Sequence, residues 1–99
     1  MITTELDIAN RILKTVDLCY KNGVKNVYVS GITPCMEYQE KIDKTNELLK
    51  NGTRGMPYIF IDNSNIDGNK HLWDNVHLNN DGLRILKNNF VGALRANTC

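Results

Sequence analysis

The sequence has little of what usually announces a function. Of its 99 residues only two are proline, three are cysteine and one is tryptophan. The formal net charge is +1, with lysines and acids interspersed, so there is no basic stripe to meet a nucleic-acid backbone. No apolar run approaches the roughly 20 residues that cross a bilayer. The opening Met-Ile-Thr-Thr-Glu-Leu-Asp has neither the cationic nor the apolar segment of a signal peptide. These absences lead to an expectation of no nucleic-acid partner, no membrane insertion and, by default, a cytoplasmic chain.

The cysteines are few and badly placed for metal or disulfide work. Cys19, Cys35 and Cys99 form an odd set with wide, irregular spacing, which argues against a disulfide framework or a zinc ribbon. Cys19 falls on the apolar face of an expected helix, as a small core residue. Cys99, the last residue, is expected to be mobile and open to oxidative dimerisation. Asn51-Gly52-Thr53 has the form of a glycosylation acceptor but reads as a helix-ending turn. Serine is scarce too: Ser30 and Ser64 are the only two.

What is present is periodicity. The chain is 41% hydrophobic, ordinary for one small globular domain, which at this size buries only about two-thirds of its unfolded surface. Thr4 and Asp7 give a capping-box-like start. Leu6, Ala9, Leu13, Val16 and Tyr20 then mark one helical face, and Asn22-Gly23 supplies the stop. Val24–Ser30 is short, apolar and without polar alternation, as in a strand covered on both faces. Cys35–Asn51 is a second helix with Tyr38, Ile42, Thr45 and Leu49 on one side, closed by Gly52 and Gly55. Met56–Asp62 is a second apolar strand, with Pro57 tolerable near its start. Asn63–Leu78 is a polar loop, and a last helix runs from about Asn80 to Leu94. Arg95–Cys99 is expected to fray.

The order helix, strand, helix, strand, loop, helix predicts an α/β fold with right-handed crossovers and a small parallel sheet layered by helices. Two strands make a very small sheet. An apolar, unpaired edge on Val24–Ser30 is a liability that natural domains cover. The pattern is that of the second half of a larger doubly wound domain, pairing through its free edge with something else.

The candidate chemistry lies in Leu72–Phe90. Asp74 and His77 stand three apart, just before an amphipathic helix marked by Leu83, Leu86, Phe90 and Leu94. A carboxylate at that separation can accept the imidazole Nδ1–H, leaving Nε2 free to take a proton from a nucleophile. Asn79 or Asn80 can N-cap the helix, which is expected to dock on the core and so pin the loop. His77 as an ordinary loop histidine and Asp74 as an Asx-turn residue are the plainer alternative.

Asp74-Asn75-Val76-His77-Leu78-Asn79, followed by Asp81-Gly82 and a Leu-rich helix, resembles the last block of SGNH (GDSL-type) hydrolases, D-x-x-H-L-N. Val27–Pro34 is similar to the strand and loop before the penultimate helix of one eukaryotic branch, and Tyr58–Asn63 to its last strand. The similarity spans roughly residues 5–92. It implies a three-layer α/β/α fold with about five parallel strands, of which residues 1–99 would be the C-terminal part. It implies serine-mediated hydrolysis of an ester or related acyl substrate without a cofactor or a metal, with Asp74 and His77 as acid and base. The family's Gly-Asp-Ser nucleophile block and Gly-x-Asn-Asp oxyanion block do not occur here. Similar domains also occur in proteins of some non-LTR retrotransposons, which are often truncated.

Other readings of the same residues are weaker. Ser30 precedes a glycine at a strand end, but Tyr28 and Ile32 stand where G-x-S-x-G needs glycines. His71, Asp74 and His77 form an H-x-x-D-x-x-H series that could hold a metal only on a loop, with no second-shell partner in view. Trp73 is expected to pack the loop onto the core rather than to line an acyl pocket. The competing functional class is a non-catalytic α/β interaction module.

Overall fold

The computed structural model describes residues 4–96. In order they form helix α1 (Glu5–Lys21), strand β1 (Tyr28–Ser30), a 3-10 turn (Met36–Tyr38), helix α2 (Gln39–Thr53), strand β2 (Ile59–Ile61) and helix α3 (Asn80–Ala96). β1 and β2 pair in parallel, with Tyr28 opposite Ile59 and Ser30 opposite Ile61. The chain is thus an α/β unit on a small parallel sheet. Cys99, with the other residues beyond 96, lies outside the described region.

The caps follow from local chemistry. Thr4 Oγ1 accepts the Asp7 amide at 3.1 Å, satisfying one orphan donor of the first turn of α1. At its other end Gly23 takes φ 90°. The Val24 amide then reaches Cys19 O, and the Gly23 amide reaches Tyr20 O, the paired bonds of a glycine C-cap. This cap holds Val24 at the end of the helix. The expected strand therefore shrinks to Tyr28–Ser30, and its neighbour to Ile59–Ile61.

Gly52 does not end α2, which runs on to Thr53. A Cβ at Gly52 would come within 2.5 Å of Leu13 Cδ1, so the missing side chain is what lets α1 lie close against α2. Between those helices and the sheet sits the core of Ala9, Val16, Val27, Val29, Leu49 and Tyr58, with Ile12, Leu13, Cys19, Leu48 and Phe60 packed on it. Leu49 is fully buried. Cys19 takes the packing place expected of it.

α3 departs from expectation. Its apolar stripe is only partly buried: Leu83 is 53% exposed and Phe90 36%, while Leu86 is half-buried. The helix is rotated so that Gly82 is buried and Asn89 turns toward the end of β2. There the buried amide of Asn63 donates from Nδ2 to Ser30 Oγ at 3.0 Å and to Gly31 O at 2.8 Å. Its Oδ1 accepts Asn89 Nδ2 at 2.9 Å. One side chain thereby ties the ends of β1 and β2 to α3. Polar pairing of Asn63 with Asn89 thus adds to the partial burial of Ile85 and Leu86.

The molecule is a slab of 40 × 39 × 18 Å with a radius of gyration of 14.2 Å, against about 12.6 Å for a compact chain of this length. It exposes 6982 Å², where a folded monomer of its mass exposes about 5,700 Å². Val27 O accepts the Ile59 amide and the Gly31 amide reaches Ile61 O, so the peptide groups of Tyr28 and Ser30 point away from β2. No described strand meets them.

Two substitutions test this account by urea denaturation. Leu49→Ala is expected to cost about 2–5 kcal/mol, because it empties a site with no solvent access. Asn63→Ala is expected to cost about 1–3 kcal/mol through the buried groups it leaves unpaired. An unchanged midpoint for Asn63→Ala would remove that clasp from the account of the fold.

Candidate active site

The loop between β2 and α3 is built as a chain of side chain-to-backbone closures. Asp62 Oδ1 accepts the Ser64 amide, and Asp67 Oδ1 accepts the Asn69 amide, each at 2.8 Å. These are Asx turns, the use to which Asp is suited in loops. His71 Nδ1 accepts the Asp67 amide at 2.7 Å, so His71 holds its proton on Nε2 and caps the turn. It is a structural residue, neither freely solvated nor available at Nδ1 as a ligand. Among the described residues no three His, Cys, Asp or Glu side chains are grouped to hold a metal, so the H-x-x-D-x-x-H series does not converge.

From His71 the chain folds back on itself. Leu72 and Leu78 form an isolated antiparallel bridge, and the Trp73 amide donates to His77 O at 3.0 Å. Inside this closed loop Asp74 serves two purposes at once. Its Oδ1 accepts the Val76 and His77 amides at 2.8 and 2.6 Å, and its Oδ2 faces His77 Nδ1 at 2.6 Å. The turn-forming and the histidine-orienting descriptions of Asp74 are therefore both true. Two backbone N–H groups fix the carboxylate, and the fixed carboxylate holds the imidazole.

These donors lower the Asp74 pKa to about 2, led by the His77 backbone amide, then the His77 side chain and the Val76 amide. Because the acceptor lies at Oδ2, the proton of a neutral His77 sits on Nδ1 and Nε2 is left as the open lone pair. The His77 side chain is 68% exposed and that of Asp74 37%. Such a pair can accept a proton at Nε2 from an approaching hydroxyl and hold the resulting imidazolium against the carboxylate.

The loop is anchored at three points. Asn79 Oδ1 accepts the Gly82 amide at 2.9 Å and caps α3, while its Nδ2 donates to Lys70 O. The Asn79 amide reaches His71 O, and a Cβ at Gly82 would stand 2.5 Å from that same carbonyl. Finally, the Met36 amide donates to Asn75 O at 3.0 Å, tying the loop to the segment after β1.

Neither serine serves this pair. Ser30 Oγ donates to Gly31 O at 3.1 Å and accepts from Asn63, and the Ser64 amide is bound in the Asp62 turn. No serine hydroxyl is hydrogen-bonded to His77. A cleft of about 680 Å³ opens between α2 and the 62–69 segment, over Phe60 and Ile32, but Asp74 and His77 do not line it. Trp73 also differs from expectation. It is 71% exposed, so it does not pack the loop onto the core; instead its ring stacks on His77, centroids 5.7 Å apart and planes 25° apart. Sequence spacing gave no sign of the stack, nor of the Met36–Asn75 tether.

No family model matches this chain, and no curated protein or solved structure matches it either.

Two expected outcomes follow. Asp74 is ionised in the fold well below its unfolded value of 3.8, so its contribution to loop order is complete above that value and is lost as pH falls toward about 2. The amide signals of Val76 and His77 should hold their native positions at pH 5 and collapse below pH 3, whereas Asp74→Asn should show no such acid step. Gly82→Ala forces a backbone contact apart. It should shift resonances of His71 and Asn79 while leaving those of α1 and α2 in place.

Proposed function

We propose that this chain is the C-terminal part of an SGNH-type ester hydrolase domain, carrying the acid and base of a Ser-His-Asp triad and lacking the nucleophile. The observation that carries the reading is the 2.6 Å approach of His77 Nδ1 to Asp74 Oδ2, with Nε2 left open. It sits in a D-x-x-H-L-N loop whose Asn79 caps the following helix.

In the complete domain a serine hydroxyl would pass its proton to His77 Nε2 as its oxygen attacks the carbonyl carbon of an ester or related acyl substrate. The imidazolium so formed, held by Asp74, would then protonate the departing alcohol. Water activated at the same nitrogen would release the acyl group. Neither a cofactor nor a metal is needed for these steps. Without the serine and the oxyanion donors the chain by itself would have little or no acyl-transfer chemistry.

The unpaired edge at Tyr28 and Ser30, the exposed Leu83 and Phe90 of α3 and the excess exposed surface support the same reading. Each is a surface that further strands and helices of a three-layer α/β/α domain would cover. The free edge and the lack of a placed nucleophile equally favour a second reading, a non-catalytic module that pairs with another chain.

A fluorophosphonate probe with intact-mass detection tests the first. The 99-residue chain should take up no adduct. Reconstitution with an upstream segment bearing Gly-Asp-Ser and Gly-x-Asn-Asp blocks should give a stoichiometric adduct that is lost with His77→Ala. An adduct on the chain alone, lost with Ser30→Ala, would overturn the missing-nucleophile reading. A reconstituted complex that stays unlabelled would favour the interaction module.

A further inference from the structure

Trp73 is the only tryptophan in the chain and one of its most exposed large apolar residues, at 71%. An aromatic ring that buries so little does not pack the loop onto the core of this chain. Its ring contact among the described residues is with His77, at 5.7 Å and 25°, within the range of an offset stack. The two residues are joined again through the backbone, by the Trp73 amide on His77 O.

The imidazole therefore has one edge on a carboxylate and one face on an indole. A hydrogen bond at Nδ1 alone leaves a side chain this exposed free to swing about its own side-chain torsions and off Asp74 Oδ2. A stacked plane removes that freedom.

We propose that Trp73 is a positioning residue for His77, clamping the ring so that Nδ1 stays on Asp74 and Nε2 stays directed outward. The proposal rests on Asp74 and His77 being an acid–base pair. It goes beyond that pairing by assigning the ring's orientation to a residue outside the D-x-x-H motif.

Proton–nitrogen correlation spectra of the two histidine rings test it on the full chain, at a pH where both are neutral. His71 accepts at Nδ1 and His77 faces a carboxylate there, so the two should show opposite tautomers, and His71 serves as the internal reference. In the wild-type chain the His77 ring protons should be displaced upfield by the indole, and its two nitrogens should be widely separated in shift. Trp73→Ala should abolish the upfield displacement and draw the two nitrogen shifts together as tautomers mix, with His71 unmoved. Trp73→Phe, which keeps a flat face, should restore the separation.

Retention of a single His77 tautomer in Trp73→Ala would overturn the proposal. So would equal movement of His71, because Trp73 would then hold the whole loop rather than the ring. Failure of the reconstituted domain to react with an acyl probe, with the His77 shifts as described, would sink the hydrolase reading and leave the positioning role standing.

Discussion

The structure depends on one buried amide. Asn63 lies just past the end of β2 and is only 4% exposed. It reaches across to the end of β1 at Ser30 and Gly31 and outward to Asn89 on α3. A sheet of two three-residue strands has little pairing energy of its own, and the apolar stripe of α3 is only partly buried. Polar groups buried here must be paired or the cost falls on the fold. With Nδ2 and Oδ1 both engaged, the site is satisfied, and the end of the sheet, the start of the loop and the last helix become one body. Gly31 fits the same logic: a Cβ there would lie 3.3 Å from Ile61 O, tight against the strand that Asn63 closes.

From that clasp the dyad is reached by a relay of loop closures. Asx turns at Asp62 and Asp67 lead into His71, whose ring nitrogen closes one turn and whose carbonyl receives the Asn79 amide. Asp74 then repeats the device with a histidine as its second partner. The chemistry of the site is thus an elaboration of the chemistry of the loop. The same oxygen-to-amide contacts that shape a turn also fix a carboxylate tightly enough to orient an imidazole, and they hold Asp74 ionised.

What could be read from the sequence follows from which forces were local. Both ends of α1 were legible, from its capping Thr4 and its terminal Asn22-Gly23, because capping is decided within a few residues; Asn51-Gly52 looked the same and did not end α2. The strands were overdrawn because Val24 and Met56 look like strand residues. Yet Val24 belongs to the glycine cap of α1, and the Met56 amide is bound back to Thr53 O. The inward face of α3 was read only in part: Leu86 of the expected stripe is half-buried, whereas Leu83 and Phe90 lie outward and Gly82 and Asn89 turn inward. The choice between the two faces depends on Asn63, 26 residues upstream of Asn89. Asp74 and His77 were legible from spacing and motif, and the structure puts them in contact. The role of His71 and the stack of Trp73 were not, since each depends on how the loop folds back on itself.

The short β1 edge has a consequence for how this chain coexists with others. Unpaired peptide groups recognise any extended backbone, whatever its side chains, so an open edge is indiscriminate by nature. On β1 only Tyr28 and Ser30, among the described residues, turn such groups away from β2, too few to template a growing stack of strands. Selectivity must then come from apolar side chains elsewhere on the surface, such as the exposed Leu18 and Val24. A neighbour would be chosen by how its apolar surface fits those side chains, and the strand would register the fit rather than cause it.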